Sequence, residues 1–142
     1  IKWPNDIMAG PAKLCGVLLE RTGDAIVIGV GVNITHHPVL ADRATTCLRA
    51  LGVADCDAGQ LVQDIARSMA RYVEIWRNVG LLAIRNHWLE RAHPFGTPLR
   101  ANLPDGEILS GTFETLDSDG ALNLRLANGT INAIHAGDIF LL

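Results

Sequence analysis

Apolar residues in the first quarter of the chain fall into short runs with the character of β-strands. Residues Ile1–Asp6 indicate the end of a strand entering a turn, because Pro4 restricts the residue before it to extended geometry. Gly16–Glu20 predicts a second strand, and a hairpin turn over 22–24 follows it. Ala25–Val32 is an almost continuous apolar run rich in β-branched residues, which is typical of a central strand covered on both faces.

The middle of the chain changes to helical spacing. A short helix is predicted over 45–51, and Asp57 with Gln60 three residues later forms a capping-box pattern that starts a longer helix. A further helix is predicted over 81–92, and Pro94 ends it. The residues that define the expected buried face of the longer helix are Leu61, Ile65, Met69, Tyr72, Val73 and Trp76.

The carboxyl-terminal third is β-rich. From Leu99 onward, short β-like runs alternate with turn signals, which predicts five strands and a small barrel of the SH3-like kind. We therefore predict an α+β protein with two domains, 1–94 and 95–142. The turn signals are Pro104–Gly106, Asp117–Gly120 and Ala127–Gly129.

Composition narrows the classes of function. The chain has 142 residues, 49% of them hydrophobic and 19% charged, which is typical of a globular protein. Its net charge of −3 and the lack of a basic run argue against nucleic-acid binding through these residues. Three cysteines without metal-ligand spacing predict neither a disulfide framework nor a zinc site, and they favour the reducing cytoplasm. No apolar run reaches the roughly 18 residues of a membrane helix.

The candidate chemistry is concentrated near the amino-terminal end. Lys2 and Lys13 flank the first turn and can hold an anionic phosphate or carboxylate, although isolated lysines are more often solvated. Asn5 and Asn33 can bind a polar ligand edge or simply form turns. Asp6 can orient a lysine or contact a metal-bound phosphate, or it can serve only the turn.

Two glycines and one cysteine lie in the same region. Gly29 and Gly31 share a face of their strand, where glycine marks the close approach of a ligand or of another backbone. Cys15 has no base visible nearby in the sequence and is a weak candidate nucleophile. The neighbouring histidines His36 and His37 have no suitably spaced carboxylate, so no metal site is predicted.

Three segments in combination are far more specific than their parts. Residues 2–6 (KWPND), 13–20 (KLCGVLLE) and 28–33 (IGVGVN) resemble, in order and spacing, the catalytic domain of the biotin protein ligases. The β-rich tail from about Gly96 resembles the SH3-like carboxyl-terminal domain of that family. The resemblance implies part of a class II synthetase-like mixed sheet with helices, followed by a small SH3-like β-barrel.

The resemblance also implies a reaction. ATP, with Mg²⁺, activates biotin to biotinyl-5′-AMP, and the biotinyl group passes to a lysine of the biotin carboxyl carrier protein of a carboxylase. Lys13 matches the catalytic lysine between the biotin carboxyl group and the α-phosphate. The residues matching biotin-binding positions are Lys13, Gly16, Val17, Gly29 and Gly31. Those matching ATP- or adenylate-binding positions are Lys2, Asn5, Asp6 and Asn33.

Some expectations follow from what the sequence does not contain. The family's glycine- and arginine-rich loop precedes KWPND, so we expect a fragment that is inactive in adenylation alone, with an exposed edge strand and a potential to form a homodimer. Two alternatives stay open: a non-catalytic nucleotide- or protein-binding module, and a lipoate-type acyl ligase. The KWPND and IGVGVN segments argue against the lipoate-type enzyme.

Overall fold

The computed structural model describes all residues, 1–142, and the α+β class is confirmed by its eight strands and two helices. These elements pack into two compact units. The first combines residues 1–4 with 69–142, and the second comprises residues 5–68. The predicted division into domains 1–94 and 95–142 stays a prediction.

The unit over 5–68 is built on a three-stranded antiparallel sheet in the order β1-β2-β3. Its strands are β1 (Asp6–Ala9), β2 (Ala12–Thr22) and β3 (Ala25–Val32). Within the register, Gly16 of β2 lies opposite Asp6 on one side and opposite Gly31 on the other. A lone parallel bridge joins Lys13 to Thr45. The sheet therefore brings Asp6, the last residue of the KWPND segment, beside the second and third recognised segments.

Strand β3 differs from the prediction. It forms an edge of the sheet and pairs only with β2, and seven of its eight residues are exposed. The prediction of a central strand covered on both faces is wrong for the described chain. The apolar run indicates that both faces of the strand are apolar, but it does not indicate which elements pack against those faces.

The segment after β3 leads into the long helix. The predicted helix over 45–51 is reduced to a 3₁₀ turn at Arg49–Leu51, which Gly52 ends in the left-handed conformation (φ 91°). Helix α1 (Ala58–Val79) begins where predicted, because the backbone N–H of Gln60 donates to Asp57 Oδ1 at 2.7 Å. No α1 residue is fully buried, and Trp76, expected on the buried face, is 59% exposed.

The other unit contains helix α2 (Leu81–Leu89), shorter than the predicted 81–92, and a five-stranded antiparallel sheet in the order β7-β6-β5-β4-β8. Its strands are β4 (Pro98–Asn102), β5 (Ile108–Leu116), β6 (Leu122–Leu126), β7 (Ile131–Ile134) and β8 (Asp138–Leu141). All five predicted strands are confirmed. The strand order leaves β7 and β8 at opposite edges, so this is an antiparallel sheet without hydrogen-bonded closure.

The core of this unit holds one residue from the other end of the sequence. Leu99, Leu122 and Leu124 are at most 2% exposed, and Trp3 joins their cluster at 7%. An indole ring in such a core contributes a large apolar area.

Neither helix combines the length and hydrophobicity needed to cross a membrane.

Candidate functional site

An ion pair between β1 and β2 forms the centre of the candidate site. Lys13 Nζ lies 2.5 Å from Asp6 Oδ1. The Asp6 side chain is 7% exposed and that of Lys13 is 28% exposed, so the carboxylate is buried and the ammonium is partly accessible. Buried charges are stable when they are paired, and here the pairing fixes the direction in which the flexible lysine extends.

Gly16 leaves the space in which this ammonium lies. A Cβ added at Gly16 would come within 3.0 Å of Lys13 Nζ and 3.1 Å of its Cε, which is closer than ordinary van der Waals contact. Gly31 and Gly29 are different, because an added Cβ there would meet its nearest atoms at 3.8 Å. Of the three glycines, only Gly16 would bring an added Cβ closer than ordinary contact, and the atoms that it would meet are the end of the flexible Lys13 side chain.

The two asparagines both bind backbone groups. Asn5 Nδ2 donates to the carbonyl of Val17, and the Val17 N–H donates to the Asn5 carbonyl at 3.0 Å. Asn33 Nδ2 donates to the Thr46 carbonyl at 2.9 Å, and the Asn33 N–H donates to Leu14 O at 3.0 Å. Asn5 and Asn33 therefore each join the segment that contains them to strand β2 by hydrogen bonds, in addition to any contact with a ligand.

A cavity of about 250 Å³ opens beside Lys13. Four predicted site residues line it: Lys13, Gly16, Gly31 and Asn33. Its volume is slightly below the roughly 300–1,000 Å³ of small-molecule pockets. The cavity offers an ammonium at one wall and two glycines without side chains beside it, a combination that leaves room for an anionic oxygen on a compact ligand.

Apart from Cys15, the cavity wall contains two residues with polar or charged side chains that were not among the predicted site residues. Arg43 lines the cavity, and its guanidinium donates to Asp42 Oδ2 at 2.6 and 2.9 Å. Thr45 also lines it and forms the parallel bridge with Lys13. The only feature of the sequence that could have indicated Arg43 is its position as a basic residue in the polar loop that follows the IGVGVN segment.

Cys15 lies in the same wall, and its surroundings keep it unreactive. Burial raises the pKa of the Cys15 thiol, and the nearby Lys13 ammonium only partly opposes this effect. A raised pKa leaves the thiol protonated at neutral pH, whereas the nucleophile is the thiolate. The structure thus agrees with the weak nucleophile expected from the sequence.

The remaining predicted site residues do not line this cavity. Val17 and Gly29 do not line the cavity, and Asp6 acts on it through Lys13. Lys2 belongs to the other compact unit, where its Nζ donates to the Ile139 carbonyl at 2.9 Å. Their ligand-binding roles stay predictions. No group of three or more His, Cys, Asp or Glu side chains is arranged to hold a metal ion.

Comparison with known proteins shows which family the chain is similar to. Residues 95–142 match the family "Biotin protein ligase C terminal domain". The biotin–[acetyl-CoA-carboxylase] ligase of Mycobacterium tuberculosis is 32% identical over 139 residues, covering 98% of this chain and 52% of the relative. The enzyme of the same name from Paracoccus denitrificans is 33% identical over 150 residues, covering 99% and 62%. Residues 95–142 thus match the carboxyl-terminal domain of the biotin protein ligases, and the chain as a whole is similar to members of that family.

The fold agrees with that of solved biotin protein ligases. The apo enzyme from Aquifex aeolicus superposes with a TM-score of 0.88 at 17% identity, covering all of this chain and 65% of that one. The same enzyme in complex with biotin and ATP gives a TM-score of 0.84 at 19% identity, covering 100% and 61%. The chain spans between about half and two thirds of the length of these biotin protein ligases.

Proposed function

We propose that the chain forms part of an enzyme that activates biotin with Mg–ATP and transfers it to a carrier protein. The names of the relatives and the three matching segments support this proposal. The observation that carries it is the Lys13 ammonium, held at 2.5 Å from a buried carboxylate at the wall of the cavity. That arrangement suits a reaction in which two anions must meet.

In the first step, a carboxylate oxygen of biotin attacks the α-phosphorus of ATP, and the bond to pyrophosphate breaks. Negative charge accumulates on the oxygens around phosphorus in the transition state. An ammonium fixed in advance stabilises that charge without reorganising during the reaction. We assign this role to Lys13.

In the second step, a neutral lysine amine of the carrier attacks the acyl carbon of biotinyl-5′-AMP, and AMP leaves as the amide forms. Lys13 is suited to stabilise the departing phosphate as well. We further propose biotin contacts at Gly16, Val17, Gly29 and Gly31, in which the glycines offer their backbone groups. The adenylate contacts proposed are Asn5, Asp6, Asn33 and Lys2.

The proposed partners follow from the reaction. The acceptor we propose is the biotin carboxyl carrier protein of acetyl-CoA carboxylase or a related carboxylase, and the acetyl-CoA carboxylase in the relatives' names supports this choice. A cytoplasmic location is supported by three cysteines that are all free thiols. A homodimer stays a prediction, for which the exposed apolar edge strand β3 is the supporting observation.

The test is adenylate formation by the natural full-length protein that carries these residues, with biotin and Mg–ATP supplied. Lys13→Ala is compared with Lys13→Arg, which keeps the positive charge, and thermal unfolding verifies that both variants fold. We expect activity in the wild type and a loss of about a hundredfold in Lys13→Ala, the scale of one removed electrostatic contact. Arg is expected to retain more activity than Ala.

The outcomes separate the alternatives. An active wild type with an unaffected Lys13→Ala variant would support the proposed reaction but contradict the catalytic role of Lys13. Lipoyl-adenylate formation in place of biotinyl-adenylate would favour the lipoate-type ligase. A folded wild type that forms neither adenylate would favour the non-catalytic binding module.

A further inference from the structure

Two cations and no carboxylate line the cavity beside strand β2. Lys13 and Arg43 both contribute to its wall. The carboxylates that pair with them, Asp6 and Asp42, do not line the cavity. An anion that enters the cavity therefore meets two positively charged side chains at the wall and no acidic one.

The backbone next to Arg43 is fixed to the strand that contains Lys13. The Lys13 N–H donates to the Ala44 carbonyl at 2.9 Å, and the Thr46 N–H donates to the Lys13 carbonyl at 2.9 Å. Ala44 follows Arg43 directly in the chain, and all of these residues belong to the unit over 5–68. Backbone hydrogen bonds therefore hold the base of the Arg43 side chain beside the cavity.

The two ion pairs differ in how much water reaches them. The Asp42 carboxylate lies 2.6 Å from Arg43 Nη2 and its side chain is 56% exposed, whereas Asp6 is buried. Separating a buried pair leaves an uncompensated charge in the interior, which is costly. An exposed pair contributes little to stability, and water solvates its carboxylate when the partner leaves. Arg43 can therefore exchange its partner at little cost, and Lys13 cannot.

The chemistry of Asp42 indicates which anion can displace it. A ligand carboxylate would exchange like for like, against a carboxylate that the chain itself holds next to Arg43. A phosphate group offers more negative charge and more acceptor oxygens, and the planar guanidinium binds it through two parallel hydrogen bonds. Arg43 therefore favours the phosphates of a nucleotide over the carboxylate of biotin.

We propose that Arg43 binds a phosphate group of ATP in the ground state and releases Asp42 to solvent as it does so. The proposal deepens the proposed function and rests on it for the identity of the nucleotide. It gives the two cations different tasks. Arg43 sets the affinity for ATP, whereas Lys13 stays paired with Asp6 and acts in the reaction step.

The test compares four variants of the natural full-length protein. Arg43→Gln removes the charge, and Arg43→Lys keeps the charge but loses the planar guanidinium. Asp42→Asn removes the competing carboxylate and leaves Arg43 in place. Arg67→Gln is the matched control, because Arg67 forms an exposed ion pair with Asp64 on α1 and does not line the cavity. Thermal unfolding verifies that all four variants fold.

The first readout is the Kd of Mg²⁺-bound α,β-methylene-ATP, measured by calorimetry, and the second is the steady-state rate of biotinyl-adenylate formation. The bond between the α- and β-phosphorus atoms of this analogue cannot be broken in the reaction, so its Kd reports binding alone. For Arg43→Gln we expect the Kd of the analogue and KM for ATP to rise about tenfold, the scale of a lost charge-assisted hydrogen bond. We expect kcat and KM for biotin to change less than about threefold, because Lys13 is unaltered.

The other variants refine the expectation. Arg43→Lys should give a Kd between those of the wild type and Arg43→Gln, because a point charge replaces the two parallel hydrogen bonds. Asp42→Asn should lower the Kd about two- to threefold, the scale of one exposed ion pair that no longer competes. Arg67→Gln should leave the Kd unchanged.

Several outcomes would overturn the proposal. A Kd that is unchanged in Arg43→Gln would exclude the phosphate contact, and an equal rise in Arg67→Gln would reduce the effect to the overall charge of the protein. Weaker binding in Asp42→Asn would contradict the exchange of partners. A wild type that binds the analogue through Arg43 but forms no adenylate would contradict the proposed function alone. A folded wild type that does not bind the analogue would contradict both.

Discussion

Replacing Gly16 by alanine isolates the position of the Lys13 ammonium from its charge. The added Cβ would lie 3.0 Å from Nζ and 3.1 Å from Cε, whereas ordinary contact begins at 3.4 Å. The lysine end is flexible, so it yields instead of the backbone. The ammonium must retreat by at least about 0.4 Å, away from the site that Asp6 now defines at 2.5 Å.

The magnitude follows from how strongly reaction rates depend on geometry. A misplacement of about 1 Å can cost about a hundredfold in rate, so a shift of between roughly 0.4 and 1 Å predicts a loss of about ten- to a hundredfold in kcat. This corresponds to roughly 1.4–2.7 kcal/mol of transition-state stabilisation. Replacing glycine by alanine in a compatible conformation adds about 0.4–1 kcal/mol through the unfolded state, which offsets part of the cost of moving Lys13 away from the buried Asp6 carboxylate.

The assay combines steady-state adenylate formation with thermal unfolding, and Gly31→Ala provides the contrast. Gly31 lies opposite Gly16, but its added Cβ would meet the nearest atom, Gly16 O, only at 3.8 Å. We expect Gly31→Ala to raise KM for biotin, through crowding of the cavity, and to leave kcat nearly unchanged. A folded Gly16→Ala enzyme with kcat within twofold of the wild type would refute the idea that the position of Lys13 limits the rate.

Two further predictions concern carboxylates. Asp6→Asn keeps the size of the side chain and should lower kcat about tenfold, because the Lys13 ammonium loses its charged partner. A kcat equal to that of the wild type would contradict this prediction. The N–H groups of Ala121 and Asp119 donate to the Asp117 carboxylate and lower its pKa. The carboxylate therefore stabilises the fold at pH values above its ordinary pKa near 3.8, and this stability is lost as the pH falls through the folded-state pKa. Thermal melts should show Asp117→Asn less stable than the wild type at neutral pH and the difference shrinking below about pH 3.8, whereas a constant difference would exclude the linkage.

The local features of the fold could be predicted because local chemistry determines them. The Asp57 side chain caps α1 through the Gln60 N–H, and the turns at Gly106, Gly120 and Gly129 each have the positive φ that favours glycine. Such interactions join residues a few positions apart. The sequence therefore contains both partners within one short window.

Burial could not be predicted in the same way. Apolar spacing placed Trp76 on the buried face of α1, yet the ring is 59% exposed, and Ile26 in β3 is 63% exposed. The pattern identifies which residues share a face, and it leaves open which other element covers that face. For Arg43 the limit was different, because a basic residue in a polar loop is indistinguishable from a solvated one until the loop is seen beside the cavity.

The two lysines near the KWPND turn look equivalent in the sequence, and their partners distinguish them. Lys2 binds a neutral carbonyl, whereas Lys13 binds a carboxylate that already compensates its charge. An approaching biotin carboxylate must share Lys13 with Asp6, which weakens ground-state binding. As further charge develops around phosphorus, the attraction to the ammonium grows while that to Asp6 stays constant. On the proposed function, the pair therefore favours the transition state over the bound substrates, which is the condition for raising kcat.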